Sequence, residues 1–113
     1  MNLDKCKLIQ ESSFKRRMLI REKKGHDYAT DDTLSNFKRI SSICDTLNIN
    51  ITTPEGYAIL MIVLKLDRIC NLLFRKIEKV ECESIQDSID DLKNYTDLME
   101  EILIEKKFIH FDL

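Results

Sequence analysis

Apolar residues along this 113-residue chain recur at three- and four-residue steps, and the pattern predicts four helices. From about Asp4 to Lys24, the residues Leu8, Phe14, Met18 and Leu19 form a broken apolar stripe among Lys15, Arg16, Arg17, Arg21, Lys23 and Lys24. Gly25 is expected to stop this first helix, with the basic residues of its last turn complementing the helix dipole. Residues 25–32 lack periodicity and read as a connection, in which Asp31 or Asp32 is available to cap a second helix. That helix places Leu34, Phe37, Ile40, Cys44 and Leu47 on one face, read as core, and ends in Asn48-Ile49-Asn50.

Thr53-Pro54-Glu55 is the sharpest local signal. Threonine accepts a free amide, proline fits the first helical position, and glutamate complements the positive end of the dipole, so a third helix opens at Pro54. Its next twenty residues are apolar nearly all round, which predicts a central helix covered by the others or by a second subunit. Ser84-x-x-Asp87 reads as a capping box in front of Ile85, Ile89, Leu92, Met99, Ile102 and Leu103, a fourth helix reaching about Lys107. The tail Phe108-Ile109-His110-Phe111-Asp112-Leu113 is apolar enough to dock on a neighbour. The expected fold is a single all-α domain over 1–113, a four-helix antiparallel bundle closed by self-association.

Composition supports this. Two Gly and one Pro are too few turn signals for a many-stranded sheet protein. The formal net charge of −2 conceals an imbalance: residues 1–48 carry ten Lys/Arg against seven Asp/Glu, and residues 49–113 carry eight against thirteen. That difference can hold the two halves together but is too small for a duplex nucleic-acid groove. Cys6, Cys44, Cys70 and Cys82 show no paired spacing, and with only His26 and His110 beside them they form no zinc pattern. Reduced thiols, no visible leader and a longest apolar run of eight residues, Tyr57 to Leu64, lead to the expectation of a cytoplasmic protein with no membrane partner.

Chemistry-bearing residues are sparse. On helix four, Glu83, Asp87, Asp90, Asp91 and Asn94 fall within about 100° of arc, opposite the apolar stripe. Such a face holds Mg²⁺ in one reading and is a solvated acidic first turn in the other. Lys65 and Arg68 stand on the apolar helix three, where a charge needs a partner. They either pair with Glu83, Asp87 or Asp91 or face a cavity as a phosphate clamp. Tyr28 offers a ring for a base, with Asn36 and Asp27 to read its edge, or it tethers the loop to the core. His26 reads as a surface residue. No nucleophilic triad, Cys-His pair, Walker motif or glycine-rich phosphate loop is present.

Four blocks, Lys24-x-x-Asp27-Tyr28, Asn36-Phe37-x-x-Ile40, Leu64-Lys65-Leu66-x-Arg68 and Glu83-Ser84-Ile85-x-Asp87-Ser88-Ile89-x-Asp91-Leu92-x-Asn94-Tyr95, taken in order, resemble the small phage and bacterial proteins called nucleotide modification associated domain 1. The similarity runs from about residue 14 to residue 104. It implies a helical, often phage-encoded protein that acts on or binds nucleotides, with Lys24, Tyr28, Asn36, Lys65, Arg68, Glu83, Asp87, Asp91 and Asn94 as its polar positions. A looser similarity is to MazG-type all-α pyrophosphohydrolases, which hold Mg²⁺ between two acidic helical motifs. Here Lys65 and Arg68 stand where a second carboxylate pair is wanted.

The chain is also similar in size and character to the oligomeric phage "sponges" that sequester nucleotide signals of bacterial defence systems such as CBASS and Thoeris. A sponge needs cations, an aromatic ring and a symmetric assembly, and no catalytic base. The leading expectation is therefore a homo-oligomeric binding protein for a nucleotide-derived small molecule, without a cofactor, with Lys24, Asp27, Tyr28, Asn36, Lys65, Arg68 and Asn94 at the ligand. The alternatives are a Mg²⁺-dependent nucleotide hydrolase using Glu83, Asp87 and Asp91, and a host-factor interaction protein with no small ligand.

Overall fold

A computed structural model of the chain describes residues 1–28, 32, 34–75 and 82–112, except the side chains of 25–28, 82 and 83. The described residues are helical without strands: α1 (Leu3–Tyr28), α2 (Ser35–Leu47), α3 (Pro54–Cys70), a π-turn over Asn71–Arg75, and α4 (Cys82–Glu105). No helix is long and apolar enough to cross a membrane among the described residues. The all-α expectation holds.

Three boundaries show how local chemistry sets the elements. α1 runs through Gly25 and does not stop there. One glycine weakens a helix by about 1 kcal/mol relative to alanine but ends it only by turning left-handed, and no described glycine has a positive φ. α2 ends at Asn48, left-handed at φ 55°, where the Asn48 and Ile49 amides donate to the Asp45 and Cys44 carbonyls. This satisfies the last carbonyls as a glycine usually does. Asp32 does not cap α2: the capping position is Leu34, with no side-chain cap, and Asp32 Oδ1 instead accepts the Leu34 amide at 2.9 Å while Oδ2 accepts Lys38 Nζ at 2.6 Å; Asp31 lies outside the described residues. The Lys38 contact, then the Leu34 amide, hold the Asp32 carboxyl below the usual carboxylate range.

The start of α3 follows the Thr-Pro-Glu reading. Thr53 Oγ1 accepts the Gly56 amide at 3.0 Å and donates to the Asn50 carbonyl at 2.8 Å, while Asn50 Oδ1 takes the Thr52 amide and hydroxyl. The chain thereby doubles back on its own helix so closely that a β-carbon on Gly56 would overlap the Asn50 carbonyl. The capping box expected at Ser84 does not form. α4 already includes Cys82, and the Ser84 carbonyl, inside the helix, accepts the hydroxyl of buried Ser88 at 2.9 Å. At its far end α4 closes like α2, with Lys107 at φ 65° and the Phe108 amide on the Leu103 carbonyl.

α3 is the axis of the molecule. Two ion pairs fix α4 antiparallel to it: Glu55, in the first turn of α3, takes Lys106 Nζ at 2.6 and 2.7 Å, and Lys65 Nζ lies 3.2 Å from Asp91 Oδ2. On the other side, Arg39 of α2 reaches Asp67. Lys65 and Asp67 are two residues apart, hence about 200° around the helix, so α4 and α2 lie on nearly opposite faces. α3 is therefore apolar all round because it has two neighbours, but its flanks stay open: Tyr57, Leu66, Leu73 and Phe74 beyond its end are all exposed.

The expected core is thinner than its pattern. Ala58, Val63 and Leu72 are the fully buried hydrophobic residues among those described. Leu34, Phe37 and Leu47, read as core, are exposed, while Ile40, Ile43 and Cys44 are half-buried. Among the described residues α2 packs chiefly on α3, and much of its stripe stays uncovered. Phe108 and Phe111 of the tail are exposed as well. The radius of gyration is 18.7 Å, against about 13 Å for a compact chain of this length, and the extents are 62 × 41 × 28 Å.

Two substitutions test the α3 entrance. Thr53→Ala should cost about 1 kcal/mol in urea unfolding. Gly56→Ala should cost more, despite the better helix propensity of alanine, because backbone has to move.

Candidate functional site

The densest polar assembly surrounds a residue that the sequence reading passed over. Asp67 sits in the last turns of α3 with its side chain only 4% exposed. Its Oδ1 accepts Arg39 Nε at 2.8 Å and Arg75 Nη2 at 3.1 Å, and its Oδ2 accepts Arg39 Nη2 at 3.1 Å. Arg75 Nη2 also donates to the Asp67 backbone carbonyl at 2.7 Å. One carboxylate thus joins α2, α3 and the π-turn. An ionised group so deep is tolerable only when paired and hydrogen-bonded, and the two arginine forks supply both.

The π-turn makes this geometry. Widening the helix at Asn71–Arg75 carries Arg75 back along α3 to the Asp67 carbonyl, eight residues earlier, while Asn71 and Leu72 are buried at its root. Such widened turns are frequent at functional sites. Among the described residues, the cluster sets two half-buried guanidinium groups around one carboxylate. Arg75 Nη1 is buried and meets no acceptor among the described residues. A buried donor without a partner is costly, so this edge of the cluster is suited to an anion.

The residues singled out from sequence are distributed differently. Lys65, 16% exposed, is engaged by Asp91 from α4, as in the ion-pair reading of that lysine. Arg68 is half-buried one residue from Asp67, and Asn36 is half-buried in the first turn of α2. Lys24, Asp87 and Asn94 are exposed, on α1 and α4. The side chains of His26, Asp27, Tyr28 and Glu83 lie outside the described residues. The structure therefore brings together Lys65 and Asp91 from the set. Among the described residues, no three His, Cys, Asp or Glu side chains gather as cation ligands. Cys6, Cys44 and Cys70 are free thiols. A shallow hollow lined by Leu34, Phe37, Lys38, Ser41, Ser42 and Asp45 lies on α2, formed by one helix face and open to solvent.

Asp67, Arg39, Arg75 and Asn71 were missed, yet a signal existed: an aspartate and an asparagine four residues apart, at and just beyond the end of a mostly apolar helix, which must find partners. The partners themselves, 28 and eight residues away, carry no sequence signal. These observations define a class, an all-helical protein with a guanidinium-rich buried site. Comparison of the chain with models of known families, with curated proteins and with solved structures finds no match.

Asp67→Ala should destabilise the protein by about 2–3 kcal/mol, since it removes the carboxylate from two half-buried guanidinium groups. Arg39→Met should cost less, because Arg75 still pairs with the aspartate; urea titrations of both variants check the order. At the other end of α3, the Lys106 contact holds the Glu55 carboxyl below the usual carboxylate range. A depressed carboxyl contributes stability above its unfolded pKa, and that contribution is lost as pH falls through the folded value. Carbon-detected NMR should show Glu55 titrating below 4.5, its ordinary value, and returning toward it in Lys106→Met.

Proposed function

We propose that the protein is a homo-oligomeric helical-bundle protein that binds, and withholds from solution, a phosphate-bearing nucleotide-derived small molecule, of the kind that serves as a signal in bacterial defence. The observation that carries this reading is the convergence of the Arg39 and Arg75 guanidinium groups on Asp67, with Arg75 Nη1 buried and meeting no acceptor among the described residues. Phosphate oxygens accept from guanidinium forks in the same bidentate way as carboxylates do. In this reading Arg39 and Arg75 take over much of the role first given to Lys65, which Asp91 neutralises. Arg68, Asn36, Lys24 and Asn94 remain positions at which the rest of a ligand is recognised, together with Asp27 and Tyr28. Binding of this kind requires no metal and no general base.

The resemblance to nucleotide modification associated domain 1 supports the ligand class, and the phage-type cytoplasmic setting follows from the same resemblance. A Mg²⁺-dependent hydrolase built on Glu83, Asp87 and Asp91 is the competing reading; Asp91 is committed to Lys65 and Asp87 faces solvent, which weighs against it.

The test is incubation of the full chain with nucleotides and cyclic dinucleotides, with and without Mg²⁺, followed by denaturation and analysis of what is released. Recovery of an intact phosphate-bearing ligand is expected, and Arg75→Gln should weaken its retention about 10- to 100-fold, the worth of one charge-assisted hydrogen bond. Metal-dependent turnover that Asp87→Ala abolishes would instead establish the hydrolase. Neither retention nor turnover would leave a protein that binds a host factor through its apolar surface.

A further inference from the structure

α2 turns one face to α3 and the opposite face to solvent. At 100° per residue, Leu34, Phe37, Lys38, Ser41, Ser42 and Asp45 fall within about 140° of arc, and Asn36, Arg39, Ile40 and Ile43 occupy the arc opposite. The second set is half-buried and includes the arginine that reaches Asp67. The first set is exposed and lines the shallow hollow of α2, with Leu34 51% and Phe37 68% open to solvent. Leu34 and Phe37 offer apolar surface to a neighbour, and the charges beside them decide which neighbour fits.

Those charges are placed symmetrically. Lys38 stands three residues before Ser41 and Asp45 three residues after Ser42. Lys38 Nζ is held by Asp32 Oδ2 at 2.6 Å while its side chain stays 68% exposed, so a positioned cation marks one end of the hollow. Exposed Asp45 supplies an anion at the other end. Under a two-fold axis passing between the serines, an antiparallel second copy of α2 sets Lys38 against Asp45 twice. A parallel copy would set Lys38 against Lys38 and Asp45 against Asp45. The serines at the crossing are small, so the two backbones can approach closely and bring Leu34 and Phe37 of each copy onto the other helix.

We propose that the exposed face of α2 is a homodimer contact, in which the α2 helices of two copies pack antiparallel across a two-fold axis at Ser41 and Ser42. This deepens the oligomeric part of the proposed function, resting on it and adding which surface meets which. A second copy is the occupant because the face is complementary to itself, with both signs of charge at mirrored positions. Exposed ion pairs are individually weak, so covering Leu34 and Phe37 supplies the affinity and the charges set the antiparallel orientation.

The test is the mass of the full chain, without added ligand, by sedimentation and light scattering over a concentration series. A contact of this small size should give dimer by about 100 μM. Lys38→Glu and Asp45→Lys should each weaken the dimer about 10-fold or more, since two attractive pairs become two repulsive ones. Mixing these two variants should restore a dimer with one copy of each, in which both pairs again have opposite signs, and this recovery excludes misfolding as the cause. Ser41→Arg should abolish the dimer by wedging the crossing, with helical content by circular dichroism unchanged. A wild-type chain that stays monomeric would overturn the contact and the oligomeric part of the proposed function together, leaving the face to a foreign partner; nucleotide retention, read separately, decides the ligand part. A dimer that survives the reversals and Ser41→Arg, or reversed variants that do not recover on mixing, would overturn this contact alone.

Discussion

The buried carboxylate of Asp67 is the constraint around which the rest is arranged. It sits where α2, α3 and the π-turn converge, and its desolvation is tolerable only because Arg39 and Arg75 both reach it. That requirement fixes the position of α2 relative to α3, and it gives the backbone a reason to widen at Asn71–Arg75, since Arg75 could not otherwise fold back to the Asp67 carbonyl. With few fully buried apolar side chains available, a polar knot takes on part of the specificity that a hydrophobic core usually supplies. Ion pairs discriminate among arrangements well, because a misplaced arginine leaves a charge stranded in a poorly solvated site.

The second determinant is the axial role of α3. Its two ends are held by unlike chemistry: at the start a threonine cap, a reversed chain against Gly56 and the Glu55–Lys106 pair, and at the finish the aspartate cluster. α4 on one face and α2 on the other leave its flanks uncovered. Extended shape, exposed apolar side chains on α1 and an exposed aromatic tail go together: the described helices enclose little of the apolar surface they carry.

How far the residues disclosed this in advance depended on range. The Thr53 cap and the Asn48 ending involve partners within five positions, and both were legible, whereas the cap expected from Asp32 gave way to Leu34. Gly25 misled because glycine permits a left-handed ending without enforcing one, and Ser84 misled because a capping pattern is silent about whether the helix has already begun. The core assignment for Leu34, Phe37 and Leu47 erred for another reason: periodicity tells which residues share a face, not whether anything covers that face. At the site, the Lys65–Asp91 pair stood among the partnerships anticipated, whereas Asp67 went unnoticed between two more conspicuous cations.

Sequence alone determined the helices, the cap at Thr53, the ending at Asn48 and the concentration of charge on α1 and α4, because those follow from interactions within a turn or two of the backbone. Tertiary structure decided which charges are buried together, that Arg39 and Arg75 share one aspartate, and which apolar stripes remain open. The reason is physical: hydrogen bonding along a helix is local and repeats with its period, while desolvation depends on what arrives from elsewhere in the chain, and no spacing rule encodes that arrival.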